Sequence, residues 1–215
     1  MMFKNREEAG LLLGKLLESK LKEKENTIIL AIPRGGVPVA YQVSKILKIP
    51  FTMVVAKKIT FPNEPEAAIG AATPDGSYIL AEYLNEKSPY VKSAIETAII
   101  EAQKKHSKYI GDNLPNISGK KVIVVDDGLA TGYTSIAAGL YAKNLGADKV
   151  ILAVPVCPID SANRLMNFFD EIICYHKVDT PFFAVGAYYQ DFHQLSDEEL
   201  MYYLKMAEKE GILYK

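Results

Sequence analysis

The chain has 215 residues, with 25 lysines and arginines against 26 aspartates and glutamates, 49% hydrophobic and 10% aromatic residues. This is the composition of an ordinary globular protein, which excludes collagen-like, mucin-like and intrinsically disordered chains, and the length suits one compact domain. A formal net charge of −1, with Lys and Arg scattered, asks for no polyanion, so nucleic acid is not an expected partner.

Asn5 followed by Glu8 resembles a capping pair, and Leu12, Leu13, Leu16, Leu17 and Leu21 recur at helical spacing behind it, which predicts an amphipathic first helix. Thr27 to Ile32 is a continuous apolar run broken by Pro33-Arg34-Gly35-Gly36, the pattern of a buried strand ending in a turn. A helix through Val39, Val43, Ile46 and Leu47 follows, then a second buried strand over Phe51 to Val55. Lys57-Lys58 and a turn-rich stretch from Thr60 to Glu66, with Pro62 and Pro65, read as a mobile loop within residues 57–87. Ser88-Pro89 predicts a cap and first-turn proline for a helix reaching about Tyr109. Lys121 to Val125 is the third strand; Asp126-Asp127-Gly128 opens a polar loop, and a helix from about Ser135 to Leu145 is stopped by Gly146. Lys149 to Val154 and Glu171 to Tyr175 complete the strands, with a short helix near Ala162 to Phe168 between them. The alternation predicts an α/β fold, a doubly wound, mostly parallel sheet covered on both faces.

Residues 176–195 hold Phe182, Phe183, Tyr188, Tyr189 and Phe192 and predict a small C-terminal hood over one end of the sheet, its aromatics serving either as core or as a surface for stacking a base. Ser196 with Glu199 then caps a last helix reaching about Lys209. Cys157 and Cys174 have neither CxxC nor Cys/His spacing and are expected as reduced core residues. His106, His176 and His193 show no spacing for a triad or a metal site. The opening MMFKNREEAG has no signal-like apolar run and no stretch approaches a membrane span, so a cytoplasmic protein with no membrane partner is expected.

The stretch Val122-Ile123-Val124-Val125-Asp126-Asp127-Gly128-Leu129-Ala130-Thr131-Gly132-Tyr133-Thr134 carries the most chemistry. A buried strand delivers two adjacent carboxylates at its carboxyl end, and a Gly/Thr loop leads straight into a helix amino terminus. Backbone N–H groups from Ala130 through Thr131, Gly132 and Tyr133 to Thr134, two threonine hydroxyls and the positive end of the helix dipole make a cradle for a phosphate. Asp126 and Asp127 would repel that phosphate if they faced it. They are suited to accept hydrogen bonds from a vicinal diol, or to hold Mg²⁺ through water, which places a ribose between carboxylates and cradle. An acidic turn that merely caps a helix is the alternative reading of these residues.

This stretch closely resembles the phosphoribosyl-diphosphate (PRPP) binding motif of the type I phosphoribosyltransferases, in which the acidic pair binds the ribose 2′ and 3′ hydroxyls and the loop that follows, here Gly128 to Thr134, binds the 5′-phosphate. The rest of the chain is similar to the predicted stand-alone members of that family, from Phe3-Lys4-Asn5-Arg6 through Pro33-Arg34-Gly35-Gly36-Val37-Pro38 to Asp191-Phe192. The resemblance implies the type I phosphoribosyltransferase fold as a single domain over residues 1–215. It also implies Mg²⁺-dependent transfer of a phosphoribosyl group from PRPP to a nitrogenous acceptor, a nucleobase or related compound, with release of diphosphate.

Ile32-Pro33-Arg34-Gly35-Gly36 also ends a parallel strand, so two loops would converge on one crevice. Gly35 and Gly36 let the backbone approach an anion and Arg34 offers a bidentate fork, which by the resemblance makes this the diphosphate loop. The family often holds that loop with a non-proline cis peptide, expected here between Arg34 and a neighbour. A purely structural turn is the alternative. Lys57, Lys58 and the segment Ile59 to Gly70 fall where the family places its mobile active-site loop, whose cations neutralise the departing diphosphate and whose closure excludes water. A solvated lysine pair is the alternative there. Arg34, Lys57 and Lys58 are thus the candidate catalytic cations, and Asp191 is the polar candidate in the hood.

The 6-oxopurine enzymes of the family usually carry an Asp directly before the Thr-Gly of the loop; this chain has Ala130, which argues against hypoxanthine and guanine without selecting another base. The expected partners are PRPP and a small-molecule acceptor, and a homodimer is allowed. The alternative function is a non-catalytic PRPP-binding regulator, which the near-neutral charge and the 26 residues before the first strand disfavour.

Overall fold

The computed structural model describes residues 2–215. In chain order the elements are α1 (Arg6–Lys20), β1 (Thr27–Ala31), α2 (Gly36–Leu47), β2 (Phe51–Met53), β3 (Lys57–Phe61), β4 (Glu64–Ala72), β5 (Tyr78–Leu80) and α3 (Pro89–Tyr109). They continue with β6 (Lys121–Val125), α4 (Tyr133–Asn144), β7 (Lys149–Pro158), α5 (Ile159–Leu165), β8 (Glu171–Val178), a 3₁₀ turn (Val185–Tyr188) and α6 (Asp197–Lys209).

The apolar runs form a five-stranded sheet in the order β2-β1-β6-β7-β8, every pair parallel. Parallel strands joined by helical crossovers are buried on both faces, and the side chains divide accordingly. Ile29, Ala31, Ile123, Val125, Ile151 and Ala153 face one core with α1, α2 and α6; Ile28, Leu30, Val122, Val124, Val150 and Leu152 face the other with α4 and α5. β1 and β6 lie side by side in register, Ala31 opposite Val125, so the Arg34 loop and the Asp126 loop leave the sheet together.

Asn5 caps α1 by accepting the Glu8 N–H at 2.9 Å, and Ser196 caps α6 by accepting that of Glu199 at 3.1 Å, both as the sequence predicts. Ser88 does not behave as expected. Its hydroxyl makes no capping bond, and α3 starts on Pro89, which has no N–H to satisfy.

The larger correction concerns residues 57–87. The turn-rich stretch is not an irregular loop: β3, β4 and β5 form a three-stranded antiparallel sheet that packs Ile59, Ile69, Ala72 and Leu80 against Val91, Ala94, Ile95 and Ala98 of α3. Pro65 fits because the β3–β4 register shifts around it, from Thr60 opposite Ala68 to Phe61 opposite Glu64, so no ladder bond is asked of a residue without an N–H. β7 likewise runs past Pro155 to Pro158 instead of stopping at Val154, β8 extends to Val178, and α5 begins three residues early, at Ile159.

The hood is pinned to the start of the chain. Phe3 bridges Tyr189 in parallel, and Phe3, Ala9, Val156 and Tyr189 form a small core beneath Phe183, Val185, Tyr188 and Phe192. Tyr189 is therefore core, whereas Phe182 is 90% exposed. Cys157 and Cys174 are free thiols, as expected. No helix among the described residues is long and apolar enough to cross a membrane.

Leu30 is fully buried in the central strand pair and Leu11 is exposed on α1. Leu30→Ala is expected to cost about 2–5 kcal/mol and Leu11→Ala less than about 0.5 kcal/mol in denaturant unfolding. Equal losses would contradict this placement of the core.

Candidate functional site

α1 and α6 begin with a side-chain cap and acidic residues in the first turn. α2 and α4 do neither: each begins behind a glycine, Gly35 or Gly132, with no side-chain capping bond and no acidic residue in its first turn. Neither dipole end is compensated, which favours an anion; α4 also leaves its leading N–H groups for an acceptor from outside, whereas in α2 the Gly36 and Val37 N–H groups already donate to the Ile32 and Arg34 carbonyls at 2.9 and 3.1 Å. Both helices start at the carboxyl ends of the neighbouring strands β1 and β6, so the two anion-receptive ends share one crevice.

Glycine is required where the two loops touch. A Cβ on Gly35 would lie 2.1 Å from Asp127 Oδ2, and one on Gly36 would lie 2.7 Å from the Val125 carbonyl oxygen. Gly132 has φ of +90°, and a Cβ there would also meet Leu165 at 2.8 Å. The Pro33–Arg34 peptide is cis, as the resemblance implies.

The acidic pair is asymmetric. Asp127 Oδ2 accepts from Arg6 Nε at 2.9 Å, and Arg6 Nη1 donates to the His193 carbonyl at 2.8 Å while its guanidinium lies 4.1 Å from the centre of the Phe192 ring. The Asp127 carbonyl accepts from Tyr189 Oη at 2.6 Å. Asp126 has no cation of its own. Its Oδ1 accepts the Asp127 N–H at 2.8 Å, and burial first, then the charge of Asp127, holds its carboxyl well above the usual aspartate range. Arg6 lies in the resembling segment Phe3-Lys4-Asn5-Arg6, where nothing local to the sequence marks it as a partner of the acidic pair. The signal it does carry is that of an arginine in the first turn of a helix whose neighbours there are Glu7 and Glu8.

A crevice of about 430 Å³ is lined by Pro33, Ala56, Lys57, Lys58, Asp126 and Thr134 among others, which brings both lysines to Asp126 and Thr134; Gly35 and Gly36 abut the acidic pair, while Arg34 and Asp127 are not in the crevice lining. Arg34 Nη1 stands 3.4 Å from Asp197 Oδ1, and Lys57 Nζ stands 3.3 Å from Glu101 Oε2. Gly128 is closed over by the hood, a Cβ there meeting Val185 at 2.4 Å. Ala130 and Thr131 border a separate pocket of about 300 Å³ with Ile159, Arg164, Asp179 and Phe183. Arg164 Nη2 donates to Ser161 Oγ at 3.1 Å, which donates to the Ala130 carbonyl at 2.9 Å and so braces the phosphate loop from outside. Asp191 is not brought to the loops. It lies exposed on the hood, accepting from the His193 backbone and paired with its ring Nδ1 at 2.9 Å. A larger cavity of about 710 Å³, between Tyr109, Leu114, Met201 and Leu213, contains neither loop.

The phosphoribosyl transferase domain model matches residues 3–191. Provisionally named phosphoribosyl transferases from two strains of Mycobacterium tuberculosis are each 37% identical over 217 residues, which is 97% of this chain and 48% of theirs, so the chain spans about half the length of these relatives. The crystal structure of the protein TT1426 from Thermus thermophilus superposes with a TM-score of 0.78 at 32% identity, covering 95% of this chain and 98% of that one.

The raised pKa of Asp126 has a cost that can be measured. Because the Asp126 pKa is raised on folding, the folded state keeps a proton that the unfolded chain has released, and stability falls as pH rises above the usual aspartate range of about 4. Asp126→Asn keeps the oxygen that accepts from Asp127 and removes the charge. Its melting temperature is expected above that of the parent at pH 8, with the difference shrinking toward pH 4. A lower melting temperature at pH 8 would contradict the raised pKa.

Proposed function

The chain belongs to the phosphoribosyl transferase family, and from that premise we propose that it transfers a phosphoribosyl group from PRPP to a nitrogenous acceptor, a nucleobase or related compound, with Mg²⁺ and release of diphosphate. The observation that carries this reading is the meeting of two helix starts without side-chain caps around an acidic pair. One such end suits the 5′-phosphate and the other the diphosphate. The carboxylates between them suit the ribose hydroxyls.

In the reaction the bond from ribose C1 to the diphosphate oxygen breaks with its electron pair leaving on diphosphate. A nitrogen lone pair of the acceptor forms the new bond to C1, and the nitrogen's proton passes to solvent or a nearby base. Charge develops on the departing diphosphate, so the barrier responds mainly to fixed cations and N–H groups aimed there and to the positioning of the two reactants. Arg34, the α2 amino terminus, Lys57 and Lys58 are assigned that role. Asp127, already neutralised by Arg6, is fixed to accept from a ribose hydroxyl, and Asp126 is free to do the same.

Among the described residues no group of three His, Cys, Asp or Glu side chains can hold a metal. The unpaired Asp126 carboxyl fits Mg²⁺ that arrives with the ligand's own phosphate oxygens as donors, and such an ion would neutralise diphosphate charge. We place the reaction in the cytoplasm.

Two measurements test this. In calorimetric titration with PRPP and Mg²⁺, the Asp126→Asn/Asp127→Asn double variant is expected to bind at least about tenfold more weakly than the parent, given about 1.5–3 kcal/mol for each charged hydrogen bond lost. Equal binding sinks the diol assignment. In steady-state assays of diphosphate release with hypoxanthine, guanine, xanthine, adenine, uracil and orotate at saturating PRPP, hypoxanthine and guanine are expected to be poor acceptors. Ala130 cannot take the acceptor's proton, a service worth about 10²–10⁴-fold when a positioned base supplies it. A highest kcat/KM for either base would overturn that expectation.

A further inference from the structure

α3 packs on the β3–β4–β5 sheet, whose first residue Lys57 lines the crevice, and it carries Glu101, Lys105, Lys108 and Tyr109 at spacings that put all four on one face. Three of the four are engaged with the network around the diphosphate loop. Glu101 Oε2 holds Lys57 Nζ at 3.3 Å, while Lys108 Nζ and Tyr109 Oη reach the Asp197 carboxylate at 2.5 and 2.7 Å. Asp197 in turn meets Arg34 at 3.4 Å. Lys105 lies between these contacts, one turn from Glu101 and one from Lys108 and Tyr109, and among the described residues no carboxylate pairs with it within 4.0 Å.

Arg34, Lys57, Lys105 and Lys108 are therefore gathered around two carboxylates, Glu101 and Asp197. The Lys105 ammonium is held below the usual lysine range by partial burial first, then by Lys57 and Arg34. Asp197 is held at about 2, chiefly by Lys108 and Tyr109, so it stays ionised. Cations on neighbouring turns and loops repel, and an anion bound among them relieves that repulsion. A monovalent carboxylate leaves positive charge over, which a diphosphate, with several negative charges on a short span, would take up.

We propose that α3 completes the diphosphate site: Lys105 is a further diphosphate-binding residue, and Asp197 is an internal carboxylate that occupies Arg34 until diphosphate displaces it. The identity of the anion rests on the transferase reading; the cation cluster and its internal carboxylate do not.

The two halves of the proposal predict opposite signs. Inorganic diphosphate with Mg²⁺, and separately ribose 5-phosphate, would be titrated calorimetrically into the parent, Lys105→Met, Lys105→Arg, Asp197→Asn and Arg34→Ala proteins. Lys105→Met is expected to lose about tenfold in diphosphate affinity, the worth of one charged hydrogen bond, with ribose 5-phosphate affinity within about twofold of the parent. Lys105→Arg restores most of the loss. Asp197→Asn is expected to bind diphosphate about two- to tenfold more tightly, because Arg34 is released. If Arg34→Ala loses diphosphate while Lys105→Met binds as the parent does, the assignment of α3 is overturned and the transferase reading stands. If Asp197→Asn binds no more tightly, the displacement is overturned. A parent protein that takes no diphosphate overturns both this assignment and the reading beneath it. Equal losses for both ligands in Lys105→Met would show a general structural effect and overturn the specific role.

Discussion

The ion pair between Arg6 and Asp127 joins positions 121 residues apart and fixes three pieces of the site at once. Both side chains are largely shielded, at 9% and 14% exposure, so water screens the pair weakly and removing either partner would strand the other's charge. Its geometry is tight on every side. Asp127 Oδ2 leaves no room for a side chain at position 35, and the remaining Arg6 donors and its flat face go to the His193 carbonyl and the Phe192 ring. The start of α1, the acidic pair and the hood therefore move as one unit. Asp126, one residue away, has no such partner and carries the raised pKa instead. The pair thus fixes one carboxylate against an arginine beside one that has no cation and whose pKa is raised at some cost in stability. Sites that bind charged ligands often carry such a cost.

Charge on this chain is nearly balanced in total but is sorted in space. The formal sum of −1 conceals Arg34, Lys57 and Lys108 drawn to α3 and α6 through Glu101 and Asp197, and two adjacent carboxylates at the end of β6. Composition alone cannot show this, because the residues come from positions 34, 57, 108, 126 and 127. Parallel β-α topology makes the sorting possible: the ends of adjacent strands bring loops that are distant in sequence to one line, and each loop sets the charge of its own stretch of crevice.

What the sequence disclosed follows from which signals are local. The central sheet was legible because buried parallel strands are unbroken apolar runs, and the caps at Asn5 and Ser196 because a polar residue and a glutamate three positions later act on the same turn. The phosphate loop was legible because its strand, carboxylates and glycines are contiguous. The β3–β4–β5 sheet is hidden in the sequence because Pro62 and Pro65 are loop signals: Pro62 does lie in the turn between β3 and β4, but Pro65 sits within β4, where it is tolerated through register shifts that depend on the pairing itself. Arg6 and Lys105 received no role because each acts through partners far along the chain. Asp191 was put forward on its type and its aromatic surroundings, and the fold turns it to the surface beside His193.

The bonds that close the site span 121 and 187 residues, from Arg6 to Asp127 and to the His193 carbonyl, and Phe3 pairs with Tyr189 across a similar gap. Contacts of such separation form late, because the entropy of closing the intervening chain must be overcome before they return anything. The phosphate-loop motif leaves the ribosome some sixty residues before Tyr189, whose hydroxyl anchors the Asp127 carbonyl, while Arg6, the partner of the Asp127 carboxylate, is made long before either. Assembly of the ribose-facing carboxylates is therefore among the last events of folding. A nascent chain that displays the whole motif but has not reached Tyr189 already carries Arg6, yet lacks the Tyr189 hydroxyl, the Phe192 ring and the His193 carbonyl that hold the acidic pair and its arginine in place.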